Sequence, residues 1–126
     1  MALPESKITG LRGEQFAARE YASRGYTIIS ANFVSYTGEV DIIVQDKKKE
    51  LCFVEVKTRS ADTYFPPSEA VDYAKQERII STAKAFIKQT RISYRSVRFD
   101  IAEVLLRNIY SADINIIENA FKTDNF

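Results

Sequence analysis

The amino-acid sequence predicts an α/β fold in which helices flank a small mixed central sheet. Apolar residues at helical spacing open the chain, two short apolar runs separated by a charged loop follow, and a second helical pattern precedes two more alternating segments. The length of 126 residues suits one domain. We therefore expect a single domain over residues 1–126 with the core order αβββαβ and one further strand.

Two segments have the apolar spacing of amphipathic helices. The first is expected over about 11–24, with Thr9 as the N-cap and Gly25 as the residue that ends the helix. The second is expected over about 72–89. Its predicted buried stripe consists of Ile79, Ile80, Ala83, Phe86 and Ile87.

Two apolar runs, 40–44 and 51–56, form the clearest strand prediction. They flank the charged segment 46–50, which has the length of a hairpin loop. Both runs are apolar on both faces, so we expect them in the centre of the sheet, covered above and below. The other expected strands are 26–36, 97–106 and 113–120. Asn32 marks a bulge in the first of them. Arg98 and Asp100 share a face of the second and form an ion pair.

Composition limits both the location and the chemistry. No signal peptide is evident, and no apolar run approaches the ~20 residues that span a bilayer. The single cysteine, Cys52, is expected in the core and suits a reducing, cytoplasmic environment. The absence of histidine excludes histidine-dependent nucleophilic catalysis, and any bound metal must be held by oxygen ligands. A net charge of +1 indicates no particular partner.

Three charged residues, Asp41, Glu55 and Lys57, interrupt or border the two apolar runs. Burying a charge costs several kcal/mol unless it is paired or bound to a metal. Alternate residues of a strand share a face, so Glu55 and Lys57 point the same way, as do Glu39 and Asp41. Converging carboxylates would hold a hard cation, and a neighbouring lysine would stabilise a phosphoryl group. The alternative is a structural ion pair of Lys57 with one of the carboxylates.

The segments around these charges resemble the signature of the YraN-like family of uncharacterised bacterial proteins. They are 38–43, Gly-Glu-Val-Asp-Ile-Ile, and 53–59, Phe-Val-Glu-Val-Lys-Thr-Arg. That family resembles the restriction-endonuclease-like PD-(D/E)xK superfamily, and within it most closely the archaeal Holliday-junction resolvases. Further residues that match the family are Gly13-Glu14, Gly25-Tyr26, Asn32, Glu69-Ala70-Val71, Lys75, Arg98-Phe99-Asp100 and Asn119-Ala120-Phe121.

The resemblance implies a restriction-endonuclease-like core with a Mg²⁺ or Mn²⁺ site. Asp41 matches the motif aspartate, Glu55 the motif glutamate and Lys57 the motif lysine. The backbone carbonyl of Val56 is implied as a further metal ligand, and Glu14 matches the glutamate that resolvases bring to the metal from their first helix. The proline of the motif is absent, a departure that is common in the superfamily.

These residues, together with what the resemblance implies, predict a Mg²⁺-dependent endonuclease that hydrolyses phosphodiester bonds in branched or single-stranded DNA. A non-catalytic nucleic-acid-binding module with the same fold is the alternative, and an interaction protein with a purely structural charged pocket is a third interpretation. Resolvases of this fold act as dimers, so the resemblance makes a homodimer plausible. No membrane partner is expected.

Several other charged residues have both a functional and a structural interpretation. Glu39 would act as a catalytic base or metal ligand, or would cap a turn. Arg59 would contact phosphate or pair with Asp62, and Lys75 would contact phosphate or lie exposed on the second helix. The remaining candidates for nucleic-acid binding, which would otherwise belong to a solvated helix face, are Lys84 and Lys88.

Overall fold

The computed structural model describes residues 4–60, 71–123 and 126, and these residues form two helices and five strands. In chain order the elements are α1 (Glu5–Ser23), β1 (Thr27–Ser35), β2 (Gly38–Gln45), β3 (Glu50–Ser60), α2 (Tyr73–Thr90), β4 (Ser96–Leu106) and β5 (Ala112–Phe121). This order confirms the predicted α/β class, the αβββαβ core and the final strand. Within the described ranges, no helix is long and apolar enough to cross a membrane.

The five strands form one mixed sheet in the order β1-β2-β3-β4-β5. Neighbouring strands are antiparallel except β3 and β4, which are parallel. A parallel pair requires a crossover connection, and α2 lies in that connection. β2 and β3 occupy interior positions in the sheet, which explains why their sequences are apolar on both faces.

The two helices cover opposite faces of the sheet. On the face beneath α1, called here the α1 face, Ala17 and Tyr21 pack with strand residues that include Val54. On the face beneath α2, the α2 face, Phe86 packs with Phe53. Consecutive residues of β3 therefore contribute to different cores, as the two-residue repeat of a strand requires. The predicted stripe of α2 is confirmed, with Ile79, Ile80, Ala83 and Phe86 buried and Ile87 packed against them.

The start of α1 differs from the sequence prediction. The helix begins at Glu5, directly after Pro4, so the predicted N-cap Thr9 lies inside it. The fixed φ of proline is compatible with a helix start, and the Pro4 carbonyl accepts hydrogen bonds from the Lys7 and Ile8 N–H groups. No side chain of the described residues caps this end of the helix. Gly25, with a φ of +91°, ends the helix region as predicted.

A glycine allows α1 to lie very close to β3. A Cβ atom at Gly13 would overlap the Thr58 side chain, so no larger residue fits without a shift of the helix. This contact brings the N-terminal half of α1 to the C-terminal half of β3. It thereby positions Glu14 at the end of the sheet that carries Glu55.

Candidate metal centre

β2 is irregular at Asp41, where it separates from β3. Val40 packs on the α2 face and Ile42 on the α1 face, although residues two apart in a regular strand share a face. The pairing of β2 with β3 ends at Ile42 and Val54. Beyond this point the Asp41 Oδ2 atom accepts a hydrogen bond of 2.8 Å from the Val56 N–H, in place of a backbone partner. The Asp41 carboxylate is therefore held against β3.

β1 contributes an unusual backbone conformation opposite Asp41. Asn32 has a φ of +55°, in the left-handed region, and its two neighbours pair with the neighbours of Asp41. The shift in strand register lies between Ile28 and Ser30, so the bulge predicted at Asn32 is displaced along the strand. The Asn32 side chain lies within hydrogen-bonding reach of Glu14. Burial raises the pKa of Glu14, and this contact lowers it only in part.

Glu55 is buried and forms an ion pair with α2. Only 8% of the residue is exposed, and its Oε1 atom lies 2.6 Å from the Lys75 Nζ atom. The side chain of Asp72 caps α2 by accepting a hydrogen bond from the Lys75 backbone N–H, which fixes the first turn beside the site. Lys75 thus belongs to the carboxylate site. It is not simply an exposed lysine of the second helix, because its ammonium contacts Glu55. The sequence contains no signal for this pairing.

Four acidic side chains influence one another at this end of the sheet. Burial raises the pKa of Asp41 to about 7, and the nearby negative charges of Glu55, Glu14 and Glu39 act in the same direction. The hydrogen bond from the Val56 N–H opposes this effect but does not cancel it. Glu39 itself is exposed at the start of β2. A half-buried cluster of like charges is a place where a cation would be stabilised.

Lys57 and Arg59 lie farther along β3 and line an open cleft of about 380 Å³. Residues of the neighbouring strands β4 and β5, including Glu103 and Asn115, also line this cleft. Lys57 also lies close to Lys75, so two cationic side chains stand beside the carboxylates. The predicted alternative partner of Arg59, Asp62, lies outside the described residues.

Lys84 and Lys88 are exposed on α2 and lie away from the carboxylates. They follow Lys75 by 9 and 13 positions in the chain, which corresponds to about 14 and 20 Å along the helix axis. The Lys84 Nζ atom lies 5.9 Å from the centre of the Phe126 ring. The structure therefore does not bring these two lysines together with the predicted metal ligands.

A second polar centre, in the N-terminal half of β4 and on the α1 face, has its hydrogen bonds satisfied. Asp100 is fully buried and accepts bonds of 2.8 Å from both Nε and Nη2 of Arg98, which confirms the predicted ion pair. It also accepts from the Tyr21 hydroxyl at 2.7 Å and from the Asn119 N–H at 3.0 Å. Burial alone would raise the pKa of Asp100, but these bonds outweigh it and lower the pKa. Cys52 is buried beside this centre, as predicted for a core residue.

The carboxylate site has the ligand chemistry of a Mg²⁺ or Mn²⁺ centre but not a complete set of converged side chains. Among the described residues, no group of three or more His, Cys, Asp and Glu side chains is arranged to hold a metal ion. Asp41 uses one oxygen for the Val56 N–H, and Glu55 uses one oxygen for Lys75. Carboxylate oxygens are the ligands that hard divalent cations prefer, and the mutual repulsion here would be relieved by a cation. The chemical type of the donors therefore suits such an ion.

Comparisons with known proteins identify relatives along nearly the whole chain. The model of the "Uncharacterised protein family UPF0102" matches residues 13–104, a span that contains every predicted site residue. A UPF0102 protein of Clostridium acetobutylicum is 43% identical over 118 residues, covering 93% of this chain and 96% of the relative. UPF0102 proteins of Caldanaerobacter subterraneus and Trichlorobacter lovleyi are 39% and 40% identical, covering 91% and 92% of this chain and 95% and 91% of those relatives.

Proposed function

The chain belongs to the uncharacterised protein family UPF0102, and we propose that it is a metal-dependent nuclease that hydrolyses phosphodiester bonds of branched or single-stranded DNA. The observation that carries this proposal is the pair formed by Asp41 and Glu55. The fold holds a buried glutamate beside a partly buried aspartate, and burial together with the negative charge of Glu55 raises the pKa of Asp41 to about 7. Such an arrangement is costly in a purely structural role and is expected where a cation is bound.

The residues that would hold Mg²⁺ or Mn²⁺ are Asp41, Glu55 and the backbone carbonyl of Val56, with Glu14 approaching from α1. Glu14 supports this assignment because the close packing at Gly13 brings it into the electrostatic range of the pair. When bound, the ion would polarise a phosphate and lower the pKa of a coordinated water. Burial strengthens these electrostatic interactions because little solvent screens them.

Other side chains of the site would act on the substrate directly. Lys57 would stabilise negative charge on the phosphoryl oxygens, and Arg59 in the adjacent cleft would contact a neighbouring phosphate. Glu39 is exposed and close enough to affect Asp41, which suits a base or an additional ligand. Lys84 and Lys88 would extend the phosphate contacts along α2. Dimer formation and a cytoplasmic location stay predictions of the sequence.

A non-catalytic DNA-binding module is the second candidate, and one observation favours it. Lys75 already neutralises Glu55 at 2.6 Å, so the buried glutamate has a partner without any metal. In that case the basic residues would bind phosphates, and the carboxylates would remain structural. The two functions differ in whether the protein cleaves DNA when a divalent cation is supplied.

The test is a cleavage assay on labelled four-way junction, flap, single-stranded and duplex DNA in Mg²⁺, Mn²⁺ or EDTA. We expect cleavage of branched or single-stranded substrates that requires the metal. It should be abolished in Glu55→Gln and Lys57→Ala, with DNA affinity largely retained in Lys57→Ala because this lysine acts in the transition state. Equal cleavage by wild type and Glu55→Gln would indicate a contaminating nuclease. Binding without cleavage would favour the non-catalytic module.

A further inference from the structure

The contact between α2 and the buried glutamate suggests how the site is regulated. We propose that Lys75 is a tethered cation that neutralises Glu55 in the metal-free protein and competes with a divalent metal for that carboxylate. The inference rests on the proposed function, because it concerns the same site. It assigns to Lys75 a role that differs from the phosphate contact expected from the sequence.

Charge and burial explain why such a cation is needed. Glu55 is 8% exposed and lies near Asp41 and Glu14, so without a partner its negative charge would be both desolvated and repelled. The Lys75 side chain is 36% exposed and joins the site from a helix that the Asp72 cap anchors. The ammonium therefore reaches the carboxylate from the solvent side and is able to leave without being stranded in the core.

The geometry of the contact makes it incompatible with full metal ligation. The Lys75 Nζ atom lies 2.6 Å from Glu55 Oε1, at direct hydrogen-bonding distance. A divalent ion bound at that oxygen would stand close to the ammonium and be repelled by it. The lysine must then move away from Oε1, so metal affinity is reduced by the free energy of the ion pair.

Displacement of the ammonium has a consequence for substrate binding. Lys75 lies close to Lys57, beside the cleft that Lys57 and Arg59 line. An ammonium released from Glu55 is a cation without its carboxylate, next to the position proposed for a DNA phosphate. Metal and DNA would therefore bind cooperatively, and Lys75 would couple the two events.

The experiment measures Mn²⁺ and Mg²⁺ binding by calorimetry and thermal shift, without DNA, in Lys75→Met, Lys75→Arg and the wild type. We expect Lys75→Met to be less stable in EDTA but to bind Mn²⁺ at least about fivefold more tightly, because no ion pair has to be broken. Lys75→Arg keeps the charge and forms a firmer carboxylate contact, so it should bind Mn²⁺ more weakly than wild type. If Lys75→Met does not fold, the Lys75→Arg result still tests the proposal.

Two control variants separate competition at Glu55 from a general effect of charge. Lys57→Met removes a cation from the same site, and Lys88→Met removes one from the last turn of α2. We expect neither to tighten Mn²⁺ binding as much as Lys75→Met. An equal gain in Lys57→Met would overturn the proposal in favour of long-range electrostatics. If wild type binds metal and Lys75→Met binds it with the same affinity, the proposal of competition at Glu55 is overturned while the proposed function is not. No metal response in any variant would overturn the proposed function as well.

Discussion

We expect Asp41→Asn to stabilise the metal-free protein above neutral pH and to lose this advantage as the pH falls. The pKa of Asp41 is about 7 in the folded protein, against 3.8 for an ordinary aspartate. Because the folded-state pKa is the higher one, the folded protein holds a proton over this interval that the unfolded chain has released. The stability that this proton provides is fully present below 3.8 and is lost as the pH rises to about 7.

The two pKa values bound the size of the effect. Each pH unit between 3.8 and about 7 corresponds to about 1.4 kcal/mol, so ionised Asp41 costs the fold at most about 4 kcal/mol at pH 8. Asparagine has nearly the same shape as the protonated acid and offers the Val56 N–H a neutral oxygen as that acid does, so it stands for Asp41 without its charge. We therefore expect a stabilisation of up to about 4 kcal/mol at pH 8 and of no more than about 2 kcal/mol at pH 5.

Urea unfolding in EDTA at several pH values between 5 and 8 measures this difference directly. The matched control is Glu77→Gln, which removes a negative charge from an exposed position on α2 and should change the free energy of unfolding by much less. The reasoning is refuted if the difference between wild type and Asp41→Asn is independent of pH. It is also refuted if the wild type is the more stable protein at pH 8.

Gly13→Ala should lower the free energy of unfolding by about 1–3 kcal/mol because the added methyl overlaps Thr58, whereas Gly10→Ala, with open space around it, should raise it by about 0.5–1 kcal/mol. Equal responses would contradict the close helix approach. Asp100→Asn should cost about 2–4 kcal/mol at neutral pH. The pKa of Asp100 is lowered in the folded protein, so the stability advantage of the wild type is present above the ordinary pKa of 3.8 and is lost as the pH falls through the folded-state pKa. A stability advantage that grows on acidification would be inconsistent with the ion pair. Fluorescence anisotropy should show DNA affinity falling steeply as the salt concentration rises. Replacing Lys84 and Lys88 together should weaken the binding of all DNA substrates alike and reduce the salt dependence of the affinity. An unchanged salt dependence would mean that this face of α2 does not contact DNA.

Local sequence patterns predicted most of the fold because they report local structure. The hairpin of β2 and β3 followed from two apolar runs around a charged loop, and the stripe of α2 followed from helical spacing. The Arg98–Asp100 pair followed from alternation within one strand. The start of α1 was missed because proline at a helix start carries no periodic signal.

The candidate site was only partly predictable. Asp41 and Glu55 were expected together because a short hairpin makes their strands neighbours. The separation of β2 from β3 at Asp41, which lets the carboxylate bond the Val56 N–H, was not visible in a run of apolar residues. The approach of Asn32 to Glu14 depends on a left-handed backbone in β1.

The sequence by itself determined the order of the elements and the identity of the acidic residues, since spacing along a strand or helix decides which neighbours share a face. Only the tertiary structure decided which cation meets the buried glutamate. Lys75 is separated from Glu55 by a crossover connection, and its position depends on how α2 packs across the sheet. Such packing is set by the fit of two apolar surfaces over many residues, so no local pattern reports it.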